Sequence, residues 1–423
     1  MIDISKIENV DFIGIGGTGM NGLAQLAILN NFNVSGSDRK YYPLLSPFKE
    51  LEKMGIKIFL DNGSFELKKN TLVVYSTAIE KNNKDLIKSN QNKLLKLHRV
   101  DFLNNIIPKN AEIIAITGTA GKTTTTGLLG WIFDYHNLNP SVYCGAGILN
   151  WKNDKNLGNI KLGNKELWII ESDESDKSLL KINPTHSILT NIGNDHLSKK
   201  DLIDVFKKFK NQTKKIFHDK NDDDIYSLTF KSNLIGKHNQ ENIKTTFSFC
   251  KKYGLNEKRT LEAIELFLGI ERRLEKISDK KSIYLFDDYA HNPMKIQSSL
   301  DSLININYIN KVHAFWRPHG HKSFNQGYNE LDFIISDFLK KNKGYFTLMP
   351  IFFDGGSIKI NKTSEDLYRE LSKKFKNIYF ANNYVSLKKL FFNIVNKNDA
   401  FLGMGARDPQ ISIFMKSLFN HEI

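Results

Sequence analysis

A chain of 423 residues has room for two to four domains of roughly 100–200 residues each. Its 40% hydrophobic and 25% charged content excludes wholesale disorder, and no apolar run reaches the ~18 residues that cross a bilayer. The net charge of +14 comes from lysine pairs scattered along the chain, with no zinc-finger, RNA-binding or basic-zipper pattern, so solvated faces and a field for anionic small substrates are expected, not a nucleic acid partner.

The acidic start Met-Ile-Asp-Ile-Ser-Lys-Ile-Glu predicts no secretory signal, and no membrane insertion is expected. The two cysteines, Cys144 and Cys250, are too few for a disulfide framework and fit a reducing cytoplasm. What recurs along the chain is a strand, a glycine turn and a helix, the mark of doubly wound α/β domains. The first unit predicts a buried strand over residues 10–15, a glycine turn, and a helix over 21–30. Strands at 34–37, 56–60 and 71–75 continue the alternation. A second unit has a strand at 113–116, a turn through 117–123, a helix at 124–136, and strands at 168–172 and 185–191. A third begins near 282–288 and continues at 313–316, 344–350, 378–380 and 400–403. Boundaries fall near residues 103–110 and near Arg273. Three α/β domains are expected: a Rossmann-like N-terminal domain (1–105), a central P-loop ATPase-type domain (106–273) and a Rossmann-like C-terminal domain (274–423).

The first turn, Gly14-Ile15-Gly16-Gly17-Thr18-Gly19, is a G-x-G-x-x-G sequence. Placed between a strand and a helix, it lets backbone N–H groups approach a pyrophosphate at the helix N-terminus. Asp38 stands where a dinucleotide-binding domain keeps its ribose carboxylate. A dinucleotide and a nucleotide diphosphate both satisfy this pattern. Thr117-Gly118-Thr119-Ala120-Gly121-Lys122-Thr123 is sharper. Its turn offers backbone donors, Lys122 a point charge for the β- and γ-phosphates, and the Thr123 hydroxyl a Mg²⁺ ligand. A strict Walker A sequence needs glycine where Ile116 stands, so this is a variant loop, and it predicts ATP or GTP.

Downstream, Glu171-Ser172-Asp173-Glu174-Ser175-Asp176 ends a buried strand, where carboxylates beside a phosphate loop suit Mg²⁺. Thr190-Asn191-Ile192-Gly193-Asn194-Asp195-His196 repeats the arrangement and offers His196 as a metal or phosphate ligand. Gly236-Lys237-His238-Asn239-Gln240-Glu241-Asn242 sets two amides one helical turn apart; Asn239 either reads a base edge or caps the helix. Arg272-Arg273 follows a domain's last helix and could meet phosphate. Asp287-Asp288-Tyr289-Ala290-His291-Asn292-Pro293 ends the first strand of the third domain and is expected to face an interdomain cleft.

Taken in this order, these segments resemble the Mur ligases, the ATP-dependent amide-forming enzymes of peptidoglycan synthesis. The shared motifs are T-G-T-x-G-K-T, E-x-D-E-S-D, T-N-x-x-x-D-H, G-x-H-N-x-x-N, R-R and D-D-Y-A-H-x-P, and they span all three domains. The N-terminal G-I-G-G-T-G-M-N-G-L-A, the S-G-S-D at Ser35–Asp38 and the segment Ser76-Thr77-Ala78-Ile79 are similar to the alanine-adding branch, whose first domain holds a UDP-sugar and not a nicotinamide. The resemblance implies that UDP-N-acetylmuramate is activated by ATP as an acyl phosphate and joined to an amino acid, with Mg²⁺ as cofactor. A relative that adds a tripeptide in cell-wall recycling shares the architecture, but its first loop carries a cysteine where Gly16 and Gly17 stand here.

Residue by residue, the resemblance implies catalytic roles for Lys122, Glu171 and His196, with Thr123, Glu171 and His196 toward Mg²⁺. It places Gly118, Thr119, Gly121, Lys122, Thr123 and Thr124 at the ATP phosphates, Asn239 and Asn242 on the adenine side, Asp288 on the ribose side and Arg273 toward phosphate. The UDP-sugar would meet Gly16, Gly17, Thr18, Gly19, Asp38 and Ser76, and the acceptor His291, His319 and Lys322. Some positions depart from the branch. Ala120 replaces a usual histidine, and Arg317-Pro318-His319-Gly320-His321-Lys322-Ser323-Phe324 lacks the arginines of a Q-P-H-R-Y-S-R-T-like run. The stretch between His196 and Gly236 is also short. An amino acid or a short peptide therefore stays open as acceptor. A nicotinamide dehydrogenase accounts for the first loop and Asp38 but not for Lys122, Thr123 or Glu171. A catalytically idle paralogue should have lost some of Lys122, Glu171 and His196.

Overall fold

Each glycine turn in the sequence follows a buried strand, and the strands assemble into three mainly parallel sheets. The structure, a computed structural model, describes residues 4, 6–66, 68, 70–193, 199–222, 228–352 and 361–419. The first sheet contains β1 (Asn9–Ile13), β2 (Asn33–Ser37), β3 (Lys57–Phe59), β4 (Thr71–Tyr75) and β5 (Leu95–His98), in the order β3-β2-β1-β4-β5, all parallel. The second contains β6 (Glu112–Thr117), β7 (Pro140–Tyr143), β8 (Ile160–Lys161), β9 (Asn164–Glu171), β10 (His186–Leu189) and β11 (Phe217–Asp219), in the order β11-β10-β6-β9-β7-β8. Only β8 runs antiparallel to its neighbour there. The third contains β12 (Glu275–Ser278), β13 (Tyr284–Asp288), β14 (Val312–Trp316), β15 (Phe346–Leu348), β16 (Ile378–Phe380) and β17 (Ala400–Met404), in the order β12-β13-β17-β14-β15-β16. Its edge strand β12 is antiparallel.

Helices cover both faces of parallel sheets, so central strands read as unbroken apolar runs. Ile113, Ile114, Ala115 and Ile116 of β6 and Leu167, Trp168, Ile169 and Ile170 of β9 are all buried. In the third sheet the two faces alternate residue by residue. Phe286, Trp316 and Leu402 enter one apolar cluster, and Leu285, Phe315 and Phe401 enter the other.

The chain divides into two compact units, residues 1–233 with 239–271, and residues 234–238 with 272–423. The first holds the first two sheets, which share one apolar cluster running from Val10 and Phe12 through Phe102 and Ile107 to Trp168 and Phe209. The second holds the third sheet. Among the described residues no helix is long and apolar enough to cross a membrane.

Local ends differ from the sequence reading where glycine sets them. β1 stops at Ile13, not at residue 15, because Gly14 takes φ +78° and the N–H groups of Gly14 and Ile15 both turn to the Ser37 carbonyl, at 2.8 and 3.0 Å. The following helix starts at Thr18, three residues earlier than expected, and the helix after β6 starts at Lys122. In open α/β sheets, ligands bind beyond the carboxyl ends of the strands, where the strand order reverses. Gly14–Gly19 leaves β1 at that edge of the first sheet, and the turns after β6, β9 and β10 share that edge of the second.

Candidate active site

β6 runs directly into Gly118–Gly121 and the helix Lys122–Tyr135. Two of these glycines are obligatory. Gly118 has φ +128° and a Cβ there would collide with the Thr190 hydroxyl; Gly121 has φ +84° and a Cβ there would collide with the Asn242 amide. The rest of the loop is pinned from β10's end. Asn191 Oδ1 accepts from the Thr119 hydroxyl at 2.7 Å and from the Ala120 N–H at 2.9 Å. The Thr190 hydroxyl donates to the Ala120 carbonyl at 2.6 Å, and the Gly193 N–H donates to Thr119 Oγ1 at 2.8 Å. Ala120 thus takes part through its backbone, in the place where a histidine was expected by resemblance. No side chain caps the helix that follows, so its first N–H groups stay aimed at whatever lies before them, a ready anion site.

Two charged arrangements flank that turn. Lys122 Nζ donates to the Gly118 carbonyl and to Glu174 Oε2, both at 2.7 Å, and lies 3.9 Å from Asp173 Oδ1. Burial pushes the Glu174 carboxyl up, and the Lys122 charge works against that rise. On the other side, the Thr123 hydroxyl donates to Glu171 Oε1 at 2.9 Å, and the Gly145 N–H donates to Glu171 Oε2 at 2.7 Å. A Cβ at residue 145 would stand 2.6 Å from that carboxylate oxygen, so glycine there lets the carboxylate close on the backbone. A hydroxyl and a carboxylate are hard oxygen donors and fit Mg²⁺, which keeps waters and phosphate oxygens for its other positions. Among the described residues no group of three or more His, Cys, Asp or Glu could hold a metal. His196 lies outside the described residues. Thr124 is buried in the same first turn.

Asn239 does not cap its helix. The helix Lys237–Tyr253 starts two residues earlier, so Asn239 sits buried inside the first turn. Asn242 Nδ2 donates to Asn239 Oδ1 at 3.3 Å, which puts the two amides on one face as their spacing predicted, with Asn242 against Gly121.

The first glycine loop is built differently. The Gly16 N–H donates to Asp38 Oδ2 at 2.9 Å, and the Lys40 N–H to Asp38 Oδ1 at 2.9 Å. A Cβ at Gly16 would lie 2.6 Å from the Phe48 ring. Gly17 opens the helix Thr18–Leu29 with no side-chain cap. Over Gly19 stand the Tyr143 hydroxyl, which donates to the Gly19 carbonyl at 2.9 Å, and the Arg99 guanidinium. Ser76 follows β4, the strand beside β1, and opens a turn closed by the Ile79 N–H on its carbonyl at 3.1 Å. The six residues expected around a UDP-sugar thus gather at one sheet edge.

Sequence reasoning assigned no role to Arg99, Thr190, Asn191 or Tyr143, nor to Asp173, Glu174 and Asp176 individually. Arg99 begins the helix Arg99–Ile106 directly after β5, and its guanidinium lies 3.4 Å from Asp176 Oδ2 and 3.6 Å from Asp173 Oδ2. The only sequence signal for it is a cation at a strand's carboxyl end.

The second unit carries the remaining candidates. Asp288 ends β13, buried, and its oxygens accept the N–H groups of Leu274 at 2.6 Å and Ala290 at 2.7 Å. Burial raises its carboxyl, opposed by the Arg273 charge. Arg273 lies over the Tyr289 ring at 5.5 Å, while Arg272 is tied to Asp287 and to the carbonyls of Gly405 and Ala406. His291 Nδ1 meets the Tyr289 carbonyl at 3.1 Å, and its ring stands 5.4 Å from that of His319, edge to face. Burial, with the nearby Lys295 charge, lowers the His291 imidazole to about 4. Lys322 is exposed in the helix His321–Gln326.

Comparison with known proteins adds independent findings. The model of the Mur ligase family catalytic domain matches residues 9–110, and that of the Mur ligase middle domain matches residues 116–266. A UDP-N-acetylmuramate–L-alanine ligase of Pelagibacter ubique (strain HTCC1062) is 29% identical, covering 99% of either chain. Its counterpart from Clostridium botulinum (strain Langeland) is 31% identical over 74% of this chain and 78% of its own. Among solved structures, UDP-N-acetylmuramate-alanine ligase from Thermotoga maritima matches with a TM-score of 0.81 at 22% identity, over 97% of this chain and 98% of that one. A murein peptide ligase from Psychrobacter arcticus matches with a TM-score of 0.69 at 20% identity, over 98% and 99%. The two structures speak for the fold alone.

Proposed function

Because the chain belongs to the Mur ligase family, we propose that it joins an amino acid, L-alanine, to UDP-N-acetylmuramate in an ATP-dependent step of peptidoglycan synthesis. One observation carries the reading: Lys122, Thr123 and Glu171 meet at a backbone-pinned phosphate loop, in the same compact unit as a second glycine loop that has no lysine. On this reading residues 1–105 bind the UDP-sugar, 106–273 bind ATP, and 274–423 bind the acceptor and complete the nucleotide site. A reaction that consumes ATP and a UDP-sugar belongs in the cytoplasm.

The muramoyl carboxylate attacks the γ-phosphorus; its new P–O bond forms as the bond to the β-phosphate oxygen breaks and ADP leaves. The acceptor amine then adds to the acyl carbon, loses its proton, and expels phosphate. Little covalent chemistry falls to the protein, so catalysis rests on positioning and charge. The N–H groups of Gly118, Gly121 and the helix start, with Lys122, hold the phosphates, while Thr119, whose N–H goes to the Asn191 carbonyl at 3.3 Å, keeps the loop in shape. Thr123 and Glu171 would hold Mg²⁺, which when bound supplies charge neutralisation at the transferred phosphoryl group; His196 belongs to the same proposed set. Asn239 and Asn242 face adenine. Arg273 faces phosphate, and Asp288, whose oxygens each keep a lone pair beyond the backbone bonds, the ribose.

His291 is neutral at pH 7, and its contact with the Tyr289 carbonyl keeps the proton on Nδ1. Nε2 then accepts a hydrogen bond from the acceptor amine without adding a positive charge. His319 and Lys322 hold the acceptor carboxylate. Lysine is a point charge without the two-pronged geometry of guanidinium, so recognition is less exacting than an arginine pair would give. The same absence of arginines favours the second reading, a tripeptide acceptor.

Phosphate release measured with ATP, UDP-N-acetylmuramate and a panel of L-Ala, L-Ser, Gly and a tripeptide tests this. The highest kcat/KM is expected for L-Ala. A preference for the tripeptide selects the recycling reading, and no release with any acceptor overturns the ligase assignment. Lys322→Ala should raise the acceptor KM by roughly fivefold and leave the ATP KM unchanged.

A further inference from the structure

The two substrate loops of the first unit are joined by a short line of charges. Arg99 belongs to the first sheet's layer and touches Gly19 of the first loop, where a Cβ would meet its Nη1 at 3.2 Å. Its guanidinium reaches across to the turn after β9. There Asp176 Oδ2 takes Arg99 at 3.4 Å and the Thr77 hydroxyl at 3.3 Å, both from the carboxyl edge of the first sheet. Asp173 is shared. Its Oδ2 lies 3.6 Å from Arg99 and its Oδ1 3.9 Å from Lys122 Nζ. Lys122 is already held by Glu174 at 2.7 Å.

One carboxylate thus stands between two cations, and what one cation takes the other loses. The side chains of Arg99, Asp176, Lys122 and Glu174 are four-fifths or more shielded, while Asp173 is 38% exposed, so its two charge contacts are partly screened by water. We propose that Arg99 is a positioning residue that sets the phosphate loop's affinity for nucleotide by holding Asp173 away from Lys122. Without the guanidinium, Asp173, still anchored by the Ser175 N–H at 3.3 Å and hydroxyl at 3.0 Å, has Lys122 as its one remaining cation among the described residues. The ammonium is then bound by two carboxylates, and a nucleotide phosphate must displace both. The consequence is unusual for a residue of the UDP-sugar layer that touches no part of the phosphate loop: its loss weakens ATP, not only UDP-sugar. This inference rests on the reading of Gly118–Thr123 as a nucleotide site.

The test is calorimetric binding of ADP and of a non-hydrolysable ATP analogue to the full-length protein, without UDP-sugar. Wild-type binding establishes the nucleotide site itself; if wild type binds neither, the functional reading fails and not this one alone. Arg99→Gln should raise the Kd by roughly fivefold, the scale of one partly shielded charge contact. Arg99→Lys, which keeps the charge, should stay within about twofold of wild type. The decisive variant is Arg99→Gln with Asp173→Asn. Removing the carboxylate that Arg99 restrained should return the Kd to the wild-type value, whereas a loss of packing between the two layers would not be repaired. Thermal melts of each variant establish that it is folded. An unchanged nucleotide Kd in Arg99→Gln, or a double variant as weak as the single one, overturns the proposal. A shift in UDP-N-acetylmuramate affinity alone overturns it as well, and makes Arg99 a direct ligand.

Discussion

The two glycine loops of the first unit share a backbone plan and differ in almost everything else. Both leave a central parallel strand and enter a helix with no side-chain cap. In the first, the neighbouring carboxylate Asp38 takes the Gly16 N–H, and aromatic rings crowd the glycines. In the second, a lysine opens the helix, and amide and hydroxyl groups from the end of β10 pin the turn. Even the strands leading in differ: three residues before the first glycine stands buried Asp11 in β1, and in β6 the same place holds Ala115. A strand-turn-helix provides a site for anions. Which anion, and whether its phosphate is transferred, depends on the residues brought in from outside the motif.

Removing the lysine should separate the loops most sharply. Lys122→Ala is expected to lower kcat by about 10²- to 10³-fold, on the scale of one lost charge-stabilising donor, with UDP-N-acetylmuramate binding by calorimetry unchanged. Wild-type turnover would break the comparison. Glycine replacement should come next. Gly118→Ala meets both a positive φ and the Thr190 hydroxyl, so about 1–3 kcal/mol of strain should appear as weaker ATP binding and a lower melting temperature. Gly17→Ala in the first loop has φ −65° and no atom closer than 3.5 Å to the new Cβ, and it should melt within a few degrees of wild type.

A smaller effect is expected from Glu171→Gln, which should raise the Mg²⁺ concentration for half-maximal activity about tenfold without moving the pH profile. A shifted profile with unchanged Mg²⁺ demand would make Glu171 an acid–base group. The smallest effect concerns Asp11. Burial raises its carboxyl from 3.8 to about 6, so the folded state keeps a proton that the unfolded chain gives up between those values. Stability therefore falls as pH rises from about 4 to 6, and the full cost is present above that window. Asp11→Asn should flatten this segment of the melting-temperature profile, and an unchanged slope would show that Asp11 titrates normally.

Much of this was legible because glycine and strand patterns are local. β4 and β16 have the limits the sequence predicts, and both loops fall where strand gives way to glycine. Thr123 and Glu171 were readable as partners because one opens a recognisable helix and the other ends a recognisable strand. What the sequence hides are pairings between distant residues with no fixed spacing. Lys122 meets Glu174 across 52 positions, Thr119 meets Asn191 across 72, and Arg99 meets Asp176 across 77. For Asn239 the sequence left two roles open, and the cap falls away because Lys237 has already begun the turn. The short edge strands β8, β11 and β12, two to four residues each, carry too few side chains to display a period.

The apolar cluster common to the first two sheets has a consequence for how the molecule comes apart. Phe102 and Ile107 of the first layer pack in the same cluster as Ile113 and Trp168 of the second, and a buried amide knot of Gln25, Asn21 and Asn159 closes the seam. Neither layer can melt without baring the other's oily face, so the two must denature in a single cooperative step, as one foldon. A fragment ending at residue 105 would leave that face in water and invite aggregation. The pair of layers has therefore to be inherited, expressed and engineered as one piece, however separate their ligands.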